Sequence, residues 1–422
     1  MIETLNFVLL LIFIVIYAWI FYSLPIISLG AREVFKQRKT KVKKVEVDWE
    51  LPSISVILPV KNEAYVVGRI FEALDRLNYP KDKLELIVTE DGSTDDSLEI
   101  CKRLTKNNKN STIVHNVESK GKPSALNNAL SHCTGDIVAI FDADSIPEPD
   151  SFSLAVRHFA DSKVGAVQGR NLTLNSEENM LTRFTAYEEA IWSDAYLGGK
   201  QKLGLFVHLK GTCEFIRRRI LVELGGFDEN FLSDDMEISA RLLENNHEIR
   251  YANEVRSWQE TPSSFKSHLS QRTRWFRGTM EVAFKYGRLL KNPTRKSFDA
   301  EITLFGPFIL IASLLSYSVG SGLFFVTYPY NFVWSIFTVL SLSVMTFILV
   351  LCGISLVFVS KPIKMRNLFW LPFVFGYWCI QSFIAMYSGM LLLFRRPGRW
   401  VKTVKSGTTT NLAFEHAFET ID

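Results

Sequence analysis

Two aspartates, Asp142 and Asp144, follow the apolar run of residues 137–141 with one residue between them. The run is predicted to be a buried strand, and carboxylates at its end can face one cleft as the strand gives way to a loop. Such carboxylates are preferred ligands of Mg²⁺ and Mn²⁺, which also bind phosphate oxygens. The pair therefore predicts a divalent-cation site for a phosphate-bearing substrate. An ordinary acidic loop is the alternative, because this spacing is common by chance.

Three further polar groups occur in order along the same stretch. They are Glu90-Asp91, Asp234-Asp235 and the sequence QRTRW at residues 271–275. Hydrophobic runs that are long enough to cross a membrane flank this stretch on both sides. Together these features indicate a catalyst at the cytosolic face of a membrane, acting on a negatively charged, metal-bound substrate.

The elements that must position these residues alternate between short apolar runs and amphipathic runs. The predicted strands are residues 53–60, 84–89, 112–117 and 136–141, and the predicted helices are residues 66–77, a helix from Thr94, 123–133 and 235–245. This alternation predicts a mixed, mostly parallel sheet flanked by helices. Ligands bind at the carboxyl ends of such strands, where residues 61–63, 90–91 and 142–144 lie.

Four apolar runs, residues 5–29, 302–326, 332–360 and 368–394, predict membrane helices. A basic segment follows the first run, which places the N-terminus outside and the catalytic region in the cytosol. The last run is expected to form a kinked interfacial or re-entrant helix that leaves the basic tail in the cytosol. The predicted regions are a transmembrane helix (1–30), a basic linker (31–50), a catalytic α/β domain (51–262), interfacial helices (263–300), a membrane region (301–394) and a basic tail (395–422).

The composition argues against several other classes of protein. A formal net charge of +4 is too small to predict nucleic-acid binding, and the basic excess lies beside the apolar runs. The five cysteines lack a CxxC spacing and the seven histidines are scattered, so neither zinc nor a disulfide framework is expected.

Several of these segments resemble one enzyme family. Residues 59–63 (PVKNE) and 90–95 (EDGSTD) look like the strand-end motifs of family 2 glycosyltransferases with the GT-A fold. Residues 120–127 (KGKPSALN) resemble the basic loop and helix that follow in that family, and residues 142–144 (DAD) resemble its metal motif. The resemblance implies a GT-A fold for the α/β domain.

Two later motifs narrow the resemblance. The SDD of residues 233–235 and the QRTRW of residues 271–275 are similar to those of the membrane-integrated branch, which contains cellulose, chitin-oligosaccharide, poly-N-acetylglucosamine and hyaluronan synthases. The SDD departs from the TED that is common in this branch and is closer to the GDD of the hyaluronan type. This departure weakens the assignment of a sugar more than the assignment of a mechanism.

The resemblance implies a nucleotide sugar as donor, with a UDP-sugar the first expectation, and Mg²⁺ or Mn²⁺ as cofactor. The residues implied for the nucleotide sugar are Pro59, Glu63, Asp91, Lys122, Asp142, Gln271 and Arg274, and those implied for the metal are Asp142 and Asp144. The physical need is to neutralise the charge that grows on the departing nucleoside diphosphate.

The catalytic residues implied by the resemblance are Asp235, as general base, and its neighbour Asp234. The other interpretation is that a residue of the segment 233–235 caps the amino end of the helix that follows. Trp275, Gly211 and Thr212 are implied for the acceptor, since an aromatic ring can stack on a sugar. A single displacement by the acceptor would invert the anomeric centre.

The basic tail is interpreted in two ways. Trp400, Lys402 and Thr403 can belong to a gating loop that closes over the nucleotide, as in the resembled synthases. The tail can instead be an anchor on the membrane surface. The sequence leaves these two interpretations open.

Two products are compatible with the sequence: a polysaccharide that the enzyme extends processively, or a lipid that receives a single sugar. The QRTRW motif favours the polysaccharide, whereas the small number of spans favours the lipid unless the chain forms a homo-oligomer. A transporter with a nucleotide-sensing domain and a nucleotidyltransferase are the alternatives from other classes. The lack of charge in residues 5–29 and 332–360 argues against the transporter, and the QRTRW motif and the spans argue against the nucleotidyltransferase.

Overall fold

The computed structural model of the 422-residue chain describes residues 2–37, 50–287, 293–324 and 365–396, together with residues 339, 343, 350, 353, 403, 405 and 407. Within these residues one α/β domain lies against a set of apolar helices. The predicted span at residues 332–360 falls almost entirely outside the described residues, as do Trp400 and Lys402.

Eight strands form a single sheet in the order β3-β2-β1-β4-β7-β6-β8-β5. The strands are β1 (Ile54–Val60), β2 (Leu84–Asp91), β3 (Ser111–Asn116), β4 (Ile137–Ile140), β5 (Ile146–Pro147), β6 (Val164–Thr173), β7 (Glu214–Arg217) and β8 (Glu248–Gln259). The first four are mutually parallel, as are β6 and β8, while β7 runs antiparallel to both of its neighbours. The predicted mixed, mostly parallel sheet is therefore confirmed.

Helices cover both faces of this sheet and extend from it. They are α1 (Ile2–Gln37), α2 (Val67–Asp75), α3 (Ser97–Thr105), α4 (Lys122–Leu130), α5 (Ser151–Arg157), α6 (Met180–Ala190), α7 (Gly198–Leu203), α8 (Arg218–Glu223), α9 (Asp234–Glu244), α10 (Phe265–Tyr286), α11 (Arg295–Leu304), α12 (Gly306–Phe324) and α13 (Leu371–Leu393). A π-helical turn, Ile191–Leu197, joins α6 to α7.

The central strands are buried on both faces of the sheet, and their sequences are therefore nearly continuous apolar runs. In β1, Val56 and Leu58 pack into one core cluster, whereas Ile57 packs into the cluster on the opposite face. The first cluster is organised around Phe141, whose ring centroid lies 5.6 Å from that of Phe152. A strand that is covered on both sides in this way cannot slide without displacing both cores, so its carboxyl end is held in place.

The start of α3 differs from the prediction because side chains divert the chain into a loop. The predicted helix begins at Thr94, but the observed helix begins at Ser97. The backbone N–H of Thr94 donates to Asn62 Oδ1 at 2.7 Å, and Asp95 Oδ2 accepts from the N–H of Ala64 at 3.2 Å. These bonds tie the segment after β2 to the segment after β1, which shapes the edge of the sheet where ligands are expected.

Two helical segments of the described residues have the length and hydropathy of a membrane span, namely 7–33 and 365–393. A third span is possible if α11 and α12, which meet at an angle of 50°, count as one. The first segment agrees with the predicted N-terminal helix. It docks closely on the π-helical turn, since a Cβ added to Gly30 would lie 1.8 Å from the carbonyl oxygen of Ala195.

Helix α13 is continuous over 23 residues, so no break in the helix interrupts the last apolar run between Leu371 and Leu393. Pro372 lies in its first turn, where the missing N–H breaks no helical hydrogen bond. The helix lies alongside α10, because Gln381 contacts His268 at 3.1 Å and Ser388 Oγ donates to the carbonyl oxygen of Thr273 at 3.3 Å. Whether this helix lies at the interface or crosses the membrane stays a prediction.

Candidate active site

The parallel register brings three predicted motifs to one edge of the sheet. Val60 at the end of β1 pairs with Glu90 at the end of β2, and Ile57 pairs with Ile140 at the end of β4. The residues that follow these strand ends therefore lie side by side, as expected for the ligand edge of such a sheet. The same edge receives the amino end of α4 and the loop before β7.

Glu90 and Asp91 are buried and already hydrogen-bonded within the protein. Asp91 Oδ1 accepts from Asn116 Nδ2 at 3.0 Å, and Oδ2 accepts from the hydroxyl of Ser119. Glu90 accepts from the N–H of Ser93 at 2.5 Å. These carboxylates fix the loops around the predicted nucleotide pocket, so the contact of Asp91 with the nucleotide stays a prediction.

Pro59 and Glu63 lie beside this pocket. Pro59 is half-buried in β1 and pairs with Thr89 of β2. The N–H of Glu63 donates to Ser97 Oγ at 2.7 Å, which anchors the segment after β1. The charge of Glu63 is near enough to act on Lys405, a tail residue discussed below.

Lys122 connects the metal motif to the predicted acceptor segment. Its Nζ lies 2.8 Å from Asp142 Oδ1 and 2.7 Å from the carbonyl oxygen of Gly211. Burial alone would lower the pKa of Lys122, but the negative charges of Asp142 and Asp234 outweigh burial and raise this pKa. The side chain is therefore a fixed positive charge in the cleft.

The second aspartate of the metal motif contacts the tail of the chain. Asp144 is 2 % exposed, and its Oδ2 lies 2.6 Å from Lys405 Nζ and 3.1 Å from the backbone N of Glu260. Lys405 also donates to the carbonyl oxygen of Glu260 at 2.9 Å. Thr403, which the sequence assigns to a gating loop, is nearly buried in the same tail segment.

The two aspartates fit a divalent cation. They offer carboxylate oxygens, and each now holds a lysine ammonium, so this part of the cleft favours positive charge. Among the described residues, no group of three or more His, Cys, Asp or Glu side chains forms a metal cage. Asp142 and Asp144 would therefore hold the ion together with oxygens from the substrate and water, which is typical of Mg²⁺ sites.

Asp235 lies in the first turn of α9 and faces the segment around Gly211. Its Oδ1 accepts from Ser233 Oγ at 2.7 Å and from the N–H of Met236 at 2.8 Å. A Cβ added to Gly211 would lie 3.5 Å from both Asp235 Oδ2 and Lys122 Nζ. Helix α9 starts at Asp234, and Ser233 makes no side-chain capping bond to it. The hydroxyl of Ser233 instead orients Asp235.

Four carboxylates and two cations share one electrostatic environment here. Burial, followed by the charge of Asp235, raises the pKa of Glu214 to about 8. Burial also raises the pKa of Asp234 to about 6, with Lys122 opposing the rise and Asp235 adding to it. Burial lowers the pKa of Arg274, which the charges of Asp234, Asp235 and Asp142 oppose. The structure thus brings together residues from α4, α9, α10 and the ends of β4 and β7.

On the predicted acceptor side, Trp275 of α10 is 39 % exposed, and the guanidinium carbon of Arg272 lies 4.5 Å from the centroid of its ring. Gln271 is half-buried one turn before it. Thr212 Oγ1 accepts from the N–H of Asp142 at 3.0 Å, so this hydroxyl supports the metal motif. The acceptor roles of Trp275, Gly211 and Thr212 stay predictions.

Sequence reasoning missed Glu214 and the role of Lys405. Glu214 interrupts the apolar run of residues 213–216, and a charge within a buried strand is a signal that could have identified it. Lys405 belongs to the basic tail, but no local pattern connects it to Asp144, which lies 261 residues earlier.

Comparisons with known proteins identify the family of this chain. The family model described as "Glycosyltransferase like family 2" matches residues 52–278, more than half of the chain. The probable glycosyltransferase YdaM of Bacillus subtilis is 28 % identical over 402 residues, which are 92 % of this chain and 95 % of the relative.

Relatives with more specific names cover less of the chain. The beta-monoglucosyldiacylglycerol synthase of Nostoc sp. is 31 % identical over 272 residues, 63 % of this chain and 58 % of the relative. The poly-beta-1,6-N-acetyl-D-glucosamine synthase of Staphylococcus aureus is 26 % identical over 242 residues, 57 % of this chain and 58 % of the relative.

Among solved structures, the mannosyltransferase PcManGT from Pyrobaculum calidifontis, in complex with GDP-Man and Mn²⁺, has a TM-score of 0.59. It is 20 % identical, and the match covers 92 % of this chain and 100 % of that protein. This likeness shows a shared fold.

Proposed function

This chain belongs to glycosyltransferase-like family 2, and on that premise we propose that it is a metal-dependent, inverting glycosyltransferase of the cytosolic membrane face. Its donor is a nucleotide diphosphate sugar, with a UDP-sugar first in expectation. Its acceptor is a hydroxyl of a growing saccharide chain. The observation that carries this proposal is the shared electrostatic cluster of Lys122, Asp142, Asp234, Asp235 and Arg274 at the ligand edge of the sheet.

In the proposed reaction, Asp235 takes the proton of the acceptor hydroxyl. The acceptor oxygen forms a bond to the anomeric carbon from the face opposite the diphosphate. The bond between that carbon and the phosphate oxygen breaks, and the nucleoside diphosphate leaves with the electron pair. One displacement of this kind inverts the anomeric configuration.

The geometry favours Asp235 over Asp234 as the base. Hydrogen bonds from Ser233 and Met236 fix Oδ1 of Asp235, while Oδ2 is directed toward Gly211. Because Gly211 has no side chain, an acceptor can approach this oxygen closely. Asp234 is buried, whereas Asp235 is half-buried, so the carboxylate of Asp235 is the more accessible of the two to an acceptor.

The leaving group needs positive charge. Lys122 and Arg274 are held near Asp142 and can neutralise the departing diphosphate, Arg274 through two parallel N–H groups. A divalent cation bound at Asp142 and Asp144 would supply further neutralisation of the same phosphates.

A second product class has its own support. The sequence predicts three clear membrane spans, at residues 5–29, 302–326 and 332–360, which is few for a polymer channel. The relative from Nostoc sp. is named as a synthase of beta-monoglucosyldiacylglycerol, and it is 31 % identical to this chain over the matched residues. Transfer of a single sugar to a lipid is therefore the second candidate.

The test is product analysis with purified full-length protein in lipid nanodiscs, Mn²⁺ and a panel of radiolabelled nucleotide sugars. The proposal expects label to pass from one nucleotide sugar to an acceptor with inverted anomeric configuration, in long saccharide chains. A single sugar on an extractable lipid would replace the first product class with the second. Absence of transfer from every nucleotide sugar, in protein that binds nucleotide, would contradict the proposed function.

A further inference from the structure

Two adjacent glutamates of α6, Glu188 and Glu189, are ion-paired with two different segments, with Arg272 of α10 and with Lys210 before β7. Adjacent residues of an α-helix project about 100° apart, so such a pair can contact two different elements. Glu188 extends toward α10 and α13, whereas Glu189 extends toward the segment that leads to Gly211.

Glu188 holds the arginine that lies on Trp275. Its Oε2 lies 2.5 Å from a terminal nitrogen of Arg272 and accepts from the hydroxyl of Tyr377 at 2.6 Å. The guanidinium carbon of Arg272 is in turn 4.5 Å from the Trp275 ring centroid, within range of a cation–π contact. The orientation of the ring is thereby connected through Glu188 to a helix of the membrane region.

Glu189 holds the residue before Gly211. Its carboxylate is ion-paired with Lys210 and accepts from Ser193 Oγ at 2.5 Å, while Lys210 also donates to that hydroxyl at 3.1 Å. Burial alone would raise the pKa of Glu189, but the charge of Lys210 and the hydrogen bonds from Lys210 and Ser193 together outweigh burial and lower this pKa. The carboxylate of Glu189 therefore stays ionised at neutral pH.

We propose that Glu188 and Glu189 are positioning residues that set the two walls of the acceptor site, Glu188 through Arg272 and Trp275, and Glu189 through Lys210 and Gly211. This inference rests on the proposed function. Neither carboxylate touches the reacting atoms. A misplacement of about 1 Å at such a site can reduce the rate about 10²-fold, so a rigid link between the two walls has a catalytic consequence.

Ion pairs often add little net stability, whether they are exposed or buried, so a role in stability alone is a weak explanation of two such half-buried pairs on adjacent residues. The location of the two ion pairs instead suggests a role in positioning the acceptor site. One pair ends three residues before Trp275, and the other ends one residue before Gly211. Gly211 lies against Asp235, and Arg274, next to Trp275, is near enough for the charges of Asp234 and Asp235 to act on it.

The first test substitutes Glu188→Gln and Glu189→Gln separately in the full-length protein and measures acceptor KM, kcat, donor Kd and thermal midpoint. Acceptor KM is expected to rise about tenfold to a hundredfold in each variant, while donor Kd stays within about twofold. Glu177→Gln, at an exposed glutamate just before α6, is the matched control and should leave acceptor KM unchanged.

A double variant separates positioning from stability. Glu188→Gln combined with Arg272→Met leaves no unpaired buried charge, so the thermal midpoint should recover toward that of the wild type. Acceptor KM should stay raised, because nothing then holds the Trp275 ring. Recovery of acceptor KM together with the thermal midpoint would overturn the inference.

If either glutamine variant fails to fold, Tyr377→Phe provides the milder perturbation. It removes one hydrogen bond to Glu188 and should raise acceptor KM about fivefold, whereas an unchanged acceptor KM would refute the Glu188 link. A wild-type protein that transfers no sugar would contradict the proposed function itself. Wild-type transfer with an unaltered acceptor KM in both glutamine variants would overturn only the positioning role.

Discussion

Replacing Lys405 with Met should tighten the binding of Mn²⁺ in the absence of nucleotide. The ammonium of Lys405 lies 2.6 Å from Asp144 Oδ2, where it competes with a metal ion for the same buried carboxylate. Methionine keeps an apolar chain of similar length but carries no charge. The carboxylate is then left with the hydrogen bond from the backbone N of Glu260, at 3.1 Å, and with a deficit of positive charge.

The size of the effect follows from the burial of the pair. Removing one partner of a buried ion pair costs about 3–5 kcal/mol, and a bound metal ion can recover part of that cost. Since Glu260 still stabilises Asp144, we expect roughly half of this energy to appear in metal binding. About 1.4–2.8 kcal/mol corresponds to a Kd for Mn²⁺ that is tenfold to a hundredfold lower.

The assay is titration of the purified full-length protein with Mn²⁺, followed by the electron paramagnetic resonance signal of the free ion. Lys102→Met is the control, because Lys102 forms an exposed pair with Glu99 at 2.8 Å that should not affect the cleft. Without metal, Lys405→Met should also unfold at a lower temperature than the wild type, and Mn²⁺ should restore the difference. An Mn²⁺ affinity within about twofold of the wild type would refute the competition between Lys405 and the metal.

The remaining predictions concern the catalytic cleft. The pKa of Glu214 is raised to about 8, so the folded state binds more protons than the unfolded state between about pH 4.5 and 8, and stability should fall as pH rises through this window. In Glu214→Gln, the thermal midpoint should fall less steeply with rising pH than in the wild type. If the variant and the wild type had the same pH profile, Glu214 would be ionised in the folded state. Gly211→Ala should lower kcat about tenfold and lower stability by about 1–2 kcal/mol, because φ is +78° and the new methyl would face Asp235; a normal kcat would contradict the close approach at this position. Arg274→Lys should raise donor KM about tenfold through loss of paired N–H groups, and an unaltered donor KM would remove Arg274 from the diphosphate site.

The sheet was predictable because its first half is built from local patterns. Buried runs such as residues 54–60 and 137–140 are apolar on both faces, and polar residues follow each strand at the ligand edge. The antiparallel insertion of β7 was not predicted. This strand has four residues and includes Glu214, so neither its length nor its polarity distinguishes it from a loop.

The site was only partly predictable, for a related reason. Motif residues such as Asp142 and Asp235 are identified by their neighbours in the sequence. The partners that orient them come from distant segments: Thr212 reaches the N–H of Asp142, and Lys405 reaches Asp144. No periodicity or spacing encodes such contacts, since they depend on how the loops and the tail fold over the sheet.

The same limit applies to the acceptor walls. The sequence indicates Trp275 and Gly211 separately, on segments that are more than sixty residues apart. Their connection through Glu188 and Glu189 depends on the placement of α6 between α10 and the segment before β7. A pair of glutamates on a helix usually suggests a solvated face, and only the packing shows that both are partly buried and paired.

The most direct test of the central claim compares Asp235→Asn with Asp82→Asn, which changes an exposed aspartate at the amino end of β2. Each variant is assayed for nucleotide binding and for sugar transfer under conditions where the wild type turns over. Asp235→Asn should bind nucleotide as the wild type does and lose at least about 10²-fold in kcat, while Asp82→Asn should keep both properties. Transfer by Asp235→Asn at the wild-type rate would show that Asp235 is not the general base.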